Sequence, residues 1–253
     1  MKLFKNIKIY SILAMCLSLS ASASASASAS GLNNKIILKT VKQQVQSIHW
    51  HTLNDSDGWG FTIETQLDRG NGKLQQRIQR YDPNLELNQQ WQLIEQDNKR
   101  PSKVILHEYA KTQSSIRNEE HEVNSENAEI VHLVTLAFET DSEHYAIFSF
   151  KPRLPMFDDE VNKVFDGKLY FNKTTNYIEK LTVRASEPFS PGFSFEVEKY
   201  DMNIDVSKIG EQLHVTQLES HKSGTAFIFS SFDEISTRKL SRFVVKNDNF
   251  ETH

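Results

Sequence analysis

Gly58-Trp59-Gly60-Phe61-Thr62-Ile63-Glu64-Thr65-Gln66-Leu67-Asp68 is the stretch that decides the fold. Trp59, Phe61, Ile63, Thr65 and Leu67 alternate with Gly60, Thr62, Glu64, Gln66 and Asp68. A period of two marks a strand with one buried face, because successive side chains on a strand point to opposite sides. Asn71-Gly72 follows, and Asn-Gly is the preferred type I′ hairpin turn. A tight turn there sets Gly70 opposite Lys73, Leu67 opposite Gln76 and Thr65 opposite Ile78. That register brings Leu74 and Ile78 to the face of Trp59, Phe61 and Ile63.

Upstream, Asn33 to Ile48 reads as a helix, with Leu38, Val41, Val45 and Ile48 forming one apolar stripe. Downstream, Arg80-Tyr81-Asp82-Pro83-Asn84 turns into a second strand carrying Trp91 and Leu93, a structural corner with Trp91 in the core. Pro101-Ser102 opens a helix to Gln113, with Ile105/Tyr109 and Leu106/Ala110 as i,i+4 pairs. Arg117 to Glu129 is polar, acidic and aperiodic, hence a loop. Ile130 to Phe138 is an apolar run that periodicity assigns to neither helix nor strand.

From Tyr145 onward the chain reads as strands and turns: Tyr145–Phe150, a corner at Pro152 and Pro155, Phe165–Asn172, Tyr177–Ala185. Phe193 to Val206 is a long strand whose apolar residues change parity at Glu198-Lys199. One extra residue there, a β-bulge, keeps them on one face and bends the strand. Leu213–Leu218, a Ser223-Gly224 turn, Ala226–Phe232 and Arg238–Val245 complete an antiparallel meander. The expected fold is α+β: a strongly curved antiparallel sheet, half-barrel-like, with two or three helices packed on one face. It forms one β-rich domain over residues 31–253, with a helical and acidic-loop insertion near 100–130.

The first 30 residues are set apart as a signal peptide. Lys2, Lys5 and Lys8 form a basic start, Ile9 to Leu19 an apolar core, and Ala21 to Ala29 a run of small-x-small cleavage sites. The apolar core is too short to span a bilayer, which takes about 20 residues. The expected address is the periplasm; a lipoprotein anchored at Cys16, after Leu13-Ala14-Met15, is the alternative. Cys16 is the one cysteine of the 253 residues, so cleavage beyond it leaves no disulfide, thiol nucleophile or thiolate metal ligand. Cleavage also removes three lysines and no acid, taking the formal charge from −4 to −7. Phosphate binding needs clustered Lys and Arg, so nucleic acid is not an expected partner.

Catalytic chemistry leaves little trace. There is no His-Glu-x-x-His, Gly-x-Ser-x-Gly, P-loop or Gly-x-Gly-x-x-Gly sequence. His49-Trp50-His51 could aim two imidazoles at one ion from a strand, but zinc would need a third protein ligand; half-exposed histidines at a helix-to-strand junction are the simpler reading. Asp158-Asp159-Glu160 lacks the oxygen-rich repeat of a calcium loop and reads as a solvated charge run. No catalytic residue, metal ligand or cofactor is expected.

Tyr81-Asp82-Pro83, Trp91-Gln92-Leu93 and Pro101-Ser102 together are similar to the pattern of an uncharacterised family of exported proteobacterial proteins. The second half, from Phe165-Asp166-Gly167-Lys168-Leu169-Tyr170-Phe171 through Ile178-Glu179-Lys180-Leu181, resembles the periplasmic lipoprotein-localisation carrier fold. That resemblance implies a half-barrel whose aromatic concave face holds lipid chains. It makes a lipid or lipidated protein the expected partner and implies association with the envelope membrane surface. Thirteen of the sixteen phenylalanines lie between 138 and 243. Phe193/Phe195 and Phe227/Phe229, as i,i+2 pairs on two strands, are the expected lining of an apolar ligand site. Non-enzymatic binding of an apolar or amphipathic ligand is the function expected. An envelope structural or sensor module with a closed core, or a hydrolase with an undetected site, remain as alternatives.

Overall fold

The computed structural model describes residues 34–50, 58–70, 72–120, 130–227 and 230–246, with side chains through residue 113 in the helix that ends at 120. The segment expected to be a signal peptide lies outside the described residues. The chain divides into two compact units, Met1–Gln43 and Gln44–His253. In the first, residues 34–43 are helical; the helix, α1, covers residues 34–47.

The second unit holds a twelve-stranded sheet. Its strands are β1 (Ile48–His49), β2 (Trp59–Asp68), β3 (Leu74–Tyr81), β4 (Trp91–Gln96), β5 (Ala137–Asp141), β6 (Tyr145–Phe150), β7 (Phe165–Asn172), β8 (Tyr177–Ala185), β9 (Phe189–Gly192), β10 (Phe195–Ile209), β11 (Gln212–Ala226) and β12 (Ser230–Val245). The order is β4-β3-β2-β12-β11-β10-β8-β7-β6-β5, open at β4 and β5, with β9 beside β10. Every pair is antiparallel except the short parallel pairing of β1 with β11. Two more helices, α2 (Lys103–Glu120) and α3 (Asp159–Asn162), complete an α+β fold.

One register row carries the core across the sheet. Phe138 pairs with Phe148, Phe148 with Leu169, Leu169 with Leu181, Leu181 with Ile204 and Ile204 with Leu218. Directly opposed residues project to the same face, and Phe148, Leu169, Leu181 and Ile204 are fully buried there. The expected bulge is present: the β10–β11 register shifts between Val197 and Lys199, leaving Glu198 as the extra residue. Val197, Tyr200, Met202, Ile204 and Val206 are all buried as a result.

The β2–β3 hairpin is one residue out of the expected register. Asp68 pairs with Leu74, Leu67 with Gln75 and Phe61 with Tyr81. A wider connection replaces the two-residue turn: Gly70 and Gly72 both adopt positive φ, and Asp68 Oδ1 accepts the Gly70 N–H at 2.9 Å. Asn71 itself lies outside the described residues. Because the side-chain period is two, this single step moves Leu74 and Ile78 to the other face. Leu74 is half exposed, and Tyr81 takes the place beside Phe61.

Two further expectations are corrected. Ser223-Gly224 is no turn, since β11 runs through it to Ala226 and the chain reverses after Phe227. Arg117 to Glu120 continue helix α2 instead of starting a loop; residues 121–129 lie outside the described residues. The α2 start holds: Ser102 Oγ accepts the Ile105 N–H at 3.3 Å as an N-cap.

Candidate functional site

A three-stranded extension is the most distinctive feature of the second unit. The pairing of β10 with β8 ends at Asp201 opposite Arg184, and that of β12 with β2 ends at Ile235 opposite Asp68. Beyond those points β10, β11 and β12 pair on with each other, accompanied only by short β9. About six residues per strand at ~3.4 Å each carry the extension roughly 20 Å past its neighbours.

Phenylalanines gather at its end. The Phe195 ring lies 5.9 Å from Phe227 and 6.0 Å from Phe232. Phe193 is fully exposed, Phe227 largely so and Phe195 partly, at 43%. Two of these residues are not where strand alternation placed them. Phe193 sits in the turn between β9 and β10, and Phe227 opens the β11–β12 turn with φ of 51°. Phe229 lies outside the described residues. Phe193, Phe195 and Phe227 are thus at the tip of the extension. The buried face of the sheet is already filled: Phe157, Phe165, Phe189 and Tyr200 form a ring cluster with centroid distances from 5.1 to 6.4 Å. Neither Pro188–Phe195 nor Gly224–Phe232 contains a charged residue, and Glu187, Glu196 and Asp233 flank them.

A polar cleft of about 520 Å³ lies at the opposite end of β11. Gln44, Ser47, His49, Asn176, Lys208 and Gln212 line it. Gln44 fixes one wall by accepting the Ile178 N–H at 3.0 Å and donating to the Asn176 carbonyl at 2.9 Å. Beside it, His49 stacks on fully buried His214 at 4.8 Å. Burial, and then the nearby His49 charge, push the His214 pKa down to about 4. His51 lies outside the described residues, and no group of three metal-ligating side chains occurs among the described ones. Asp158 caps α3 by accepting the Val161 N–H at 2.8 Å, so the Asp158-Asp159-Glu160 run starts a helix. At the Tyr81–Trp91 corner, Asp82 Oδ1 accepts the Asn84 N–H at 3.0 Å and Trp91 is buried.

No family model matches the chain, and no curated protein matches its sequence. Among solved structures it is similar to a LolA-superfamily protein of Nitrosomonas europaea, at 10% identity and a TM-score of 0.35, over 87% of this chain and 97% of that one. A likeness of that size bears on neither ligand nor mechanism.

No helix among the described residues is long and apolar enough to cross a membrane. What the geometry presents is an exposed aromatic tip and a set of clefts along the sheet. Two clefts along β2, β3 and β12 had no counterpart in the sequence. Arg77 and Arg238, which line both, are 161 positions apart, and only the strand order brings them together.

Proposed function

We propose that this is an exported envelope protein that binds an apolar or amphipathic ligand, the acyl chain of a lipid or lipidated partner, without catalysing a reaction. The binding surface is the tip of the extension, with Phe193, Phe195 and Phe227 as contact residues; Phe229, expected with them from the sequence, lies outside the described residues. The observation that carries the reading is the joint exposure of Phe193, Phe195 and Phe227 at one charge-free end. A contiguous exposed aromatic surface is costly in water and marks an interaction site. Phenylalanine offers an acyl chain apolar area with no polar group to desolvate. Charges held back at Glu196 and Asp233 suit a tip that enters a lipid layer while its base stays hydrated. The basic start, apolar core and Ala-Ser run of the first 30 residues support export.

The test is cosedimentation of the full mature chain with phosphatidylcholine vesicles. Wild type is expected to sediment with them, and a Phe193→Ser/Phe227→Ser variant of unchanged melting temperature to stay in solution. Equal sedimentation of the two, or none by wild type, would sink the reading and favour a structural or sensor module. The filled sheet face around Phe157, Phe165 and Tyr200 is what supports that second reading.

A further inference from the structure

Arg77 of β3 and Arg238 of β12 stand on either side of Thr65 in β2, each directly opposite it. Neighbouring strands are about 4.8 Å apart, so the two arginine backbones are ~10 Å apart with Thr65 between them. Directly opposed residues share a face, and both arginines line two clefts on it. One cleft, of about 370 Å³, includes Thr65, Leu67 and Gln75. The other, of about 470 Å³, lies against α2 and includes Leu93, Val104, Ile105 and Tyr109. Arg77, Gln79, Gln96 and Arg238 belong to both, so the two are one continuous groove.

The groove has a polar end and an apolar end. Among the described residues neither Arg77 nor Arg238 is in an ion pair. Two carboxylates lie along the groove. Asp97 Oδ1 is engaged by the Gln76 N–H at 3.1 Å, and Glu108 is exposed on α2. Two cationic side chains that rise from one face on either side of a single strand can both attract an anion placed between them. A guanidinium presents a planar fork that matches a carboxylate or phosphate. At the other end, Val104 is 72% exposed and Ile105 37%, which leaves apolar helix surface uncovered beside buried Leu93. Tyr109, whose hydroxyl accepts the Gln79 Nε2 hydrogen at 2.9 Å, anchors α2 over this part of the sheet.

We infer that the groove binds a single-chain anionic amphiphile. The carboxylate or phosphate head lies between Arg77 and Arg238 above Thr65, and the chain runs along Leu93, Val104 and Ile105. The site is separate from the aromatic tip and does not rest on the function proposed for it.

Isothermal titration of the full mature chain with decanoate, decyl phosphate and uncharged decanol tests this. Decanoate or decyl phosphate is expected to bind with 1:1 stoichiometry, and which of the two binds tighter tells a fatty acid from a phosphorylated lipid. Arg77→Gln and Arg238→Gln should each weaken that binding about tenfold, while decanol binds weakly and equally to all forms. Arg238→Lys should recover part of the loss, since it restores charge without the fork. Circular dichroism melting separates a lost site from a lost fold. The tenfold loss on Arg77→Gln should persist in a Phe193→Ser/Phe227→Ser background, so failure here and failure at the tip are distinguishable. Absence of anion binding, or equal affinity for decanol, or arginine variants that bind as wild type, would overturn the inference.

Discussion

Gly224 of β11 lies against the carbonyl of Glu196 in β10, so close that a Cβ at position 224 would collide with that oxygen. Gly224 is paired with Val197, immediately beside the bulge at Glu198. The bulge and the glycine therefore form one device: the extra residue bends β10, and the missing side chain leaves room for its backbone. Gly224→Ala should destabilise by about 2–4 kcal/mol, because backbone faces it and has nowhere to yield. Urea unfolding measures this. A cost below about 0.5 kcal/mol, within the range of ordinary surface substitutions, would show that the strands part without penalty.

The same kind of argument applies where α2 meets the sheet. Tyr109 is buried with Phe61, Ile63, Tyr81, Trp91, Leu93 and Leu240, and its hydroxyl is tied to Gln79. Burial raises its pKa. Tyr109→Phe keeps the ring and removes one hydrogen bond, an expected loss of about 1 kcal/mol. Tyr109→Ala also empties the space under the helix and should cost about 3–5 kcal/mol. Chemical denaturation of the two variants side by side checks the ratio. Equal losses would mean that the ring does not hold the helix.

Strand rhythm was legible where alternation was clean. Phe165–Asn172 and Tyr177–Ala185 occur with the bounds read from sequence, and the Glu198 bulge was legible from the parity change alone. Turn chemistry misled twice, for a physical reason. Asn71-Gly72 prefers a two-residue turn, but Asp68 captures the Gly70 N–H, and Gly70 as well as Gly72 tolerates positive φ. The wider loop is then accessible, and the core decides between registers by placing Tyr81 beside Phe61 and Trp91. Gly224 looked like a turn residue because a glycine inside a strand and a glycine in a turn are the same letter; only the partner strand tells them apart. The Phe193/Phe195 and Phe227/Phe229 spacing suggested strand faces, yet Phe193 and Phe227 fall in the turns themselves. The Arg77–Thr65–Arg238 arrangement left no sequence trace, since it depends on β12 returning beside β2.

Phenylalanine substitutions should divide sharply by location. Phe165 is fully buried, with the ring centroids of Phe157, Phe189 and Tyr200 at 5.1–5.4 Å from its own. Phe165→Ala should cost about 3–5 kcal/mol. Phe193, fully exposed in its turn, should change stability by no more than about 0.5 kcal/mol when replaced by alanine. Thermal unfolding of both variants is the check. A large loss on Phe193→Ala would make the tip a structural element and remove it as a free binding surface.

His214 gives the fold a predictable pH dependence. It is fully buried in β11, stacked on His49, with Trp59 edge-on at 4.6 Å and Phe243 at 5.2 Å. Burial disfavours the imidazolium first, and the neighbouring His49 adds to it, so the folded-state pKa falls from 6.5 to about 4. Between those two values the unfolded chain binds a proton that the folded chain refuses. Stability therefore increases with pH across that window. The contribution is complete above the unfolded value, declines as pH falls from 6.5 towards 4, and levels off below. A shift of this size corresponds to roughly 3 kcal/mol over the window. His214→Phe keeps an aromatic ring against Trp59, His49 and Phe243 but cannot take a proton. The variant should lose stability less steeply than wild type between pH 6.5 and 4, with the two curves running parallel above pH 7. Urea titrations at half-unit pH intervals measure both slopes. Equal slopes would mean that His214 is protonated in the folded state, and that the ring stack at the β1–β11 pairing opens well above pH 4.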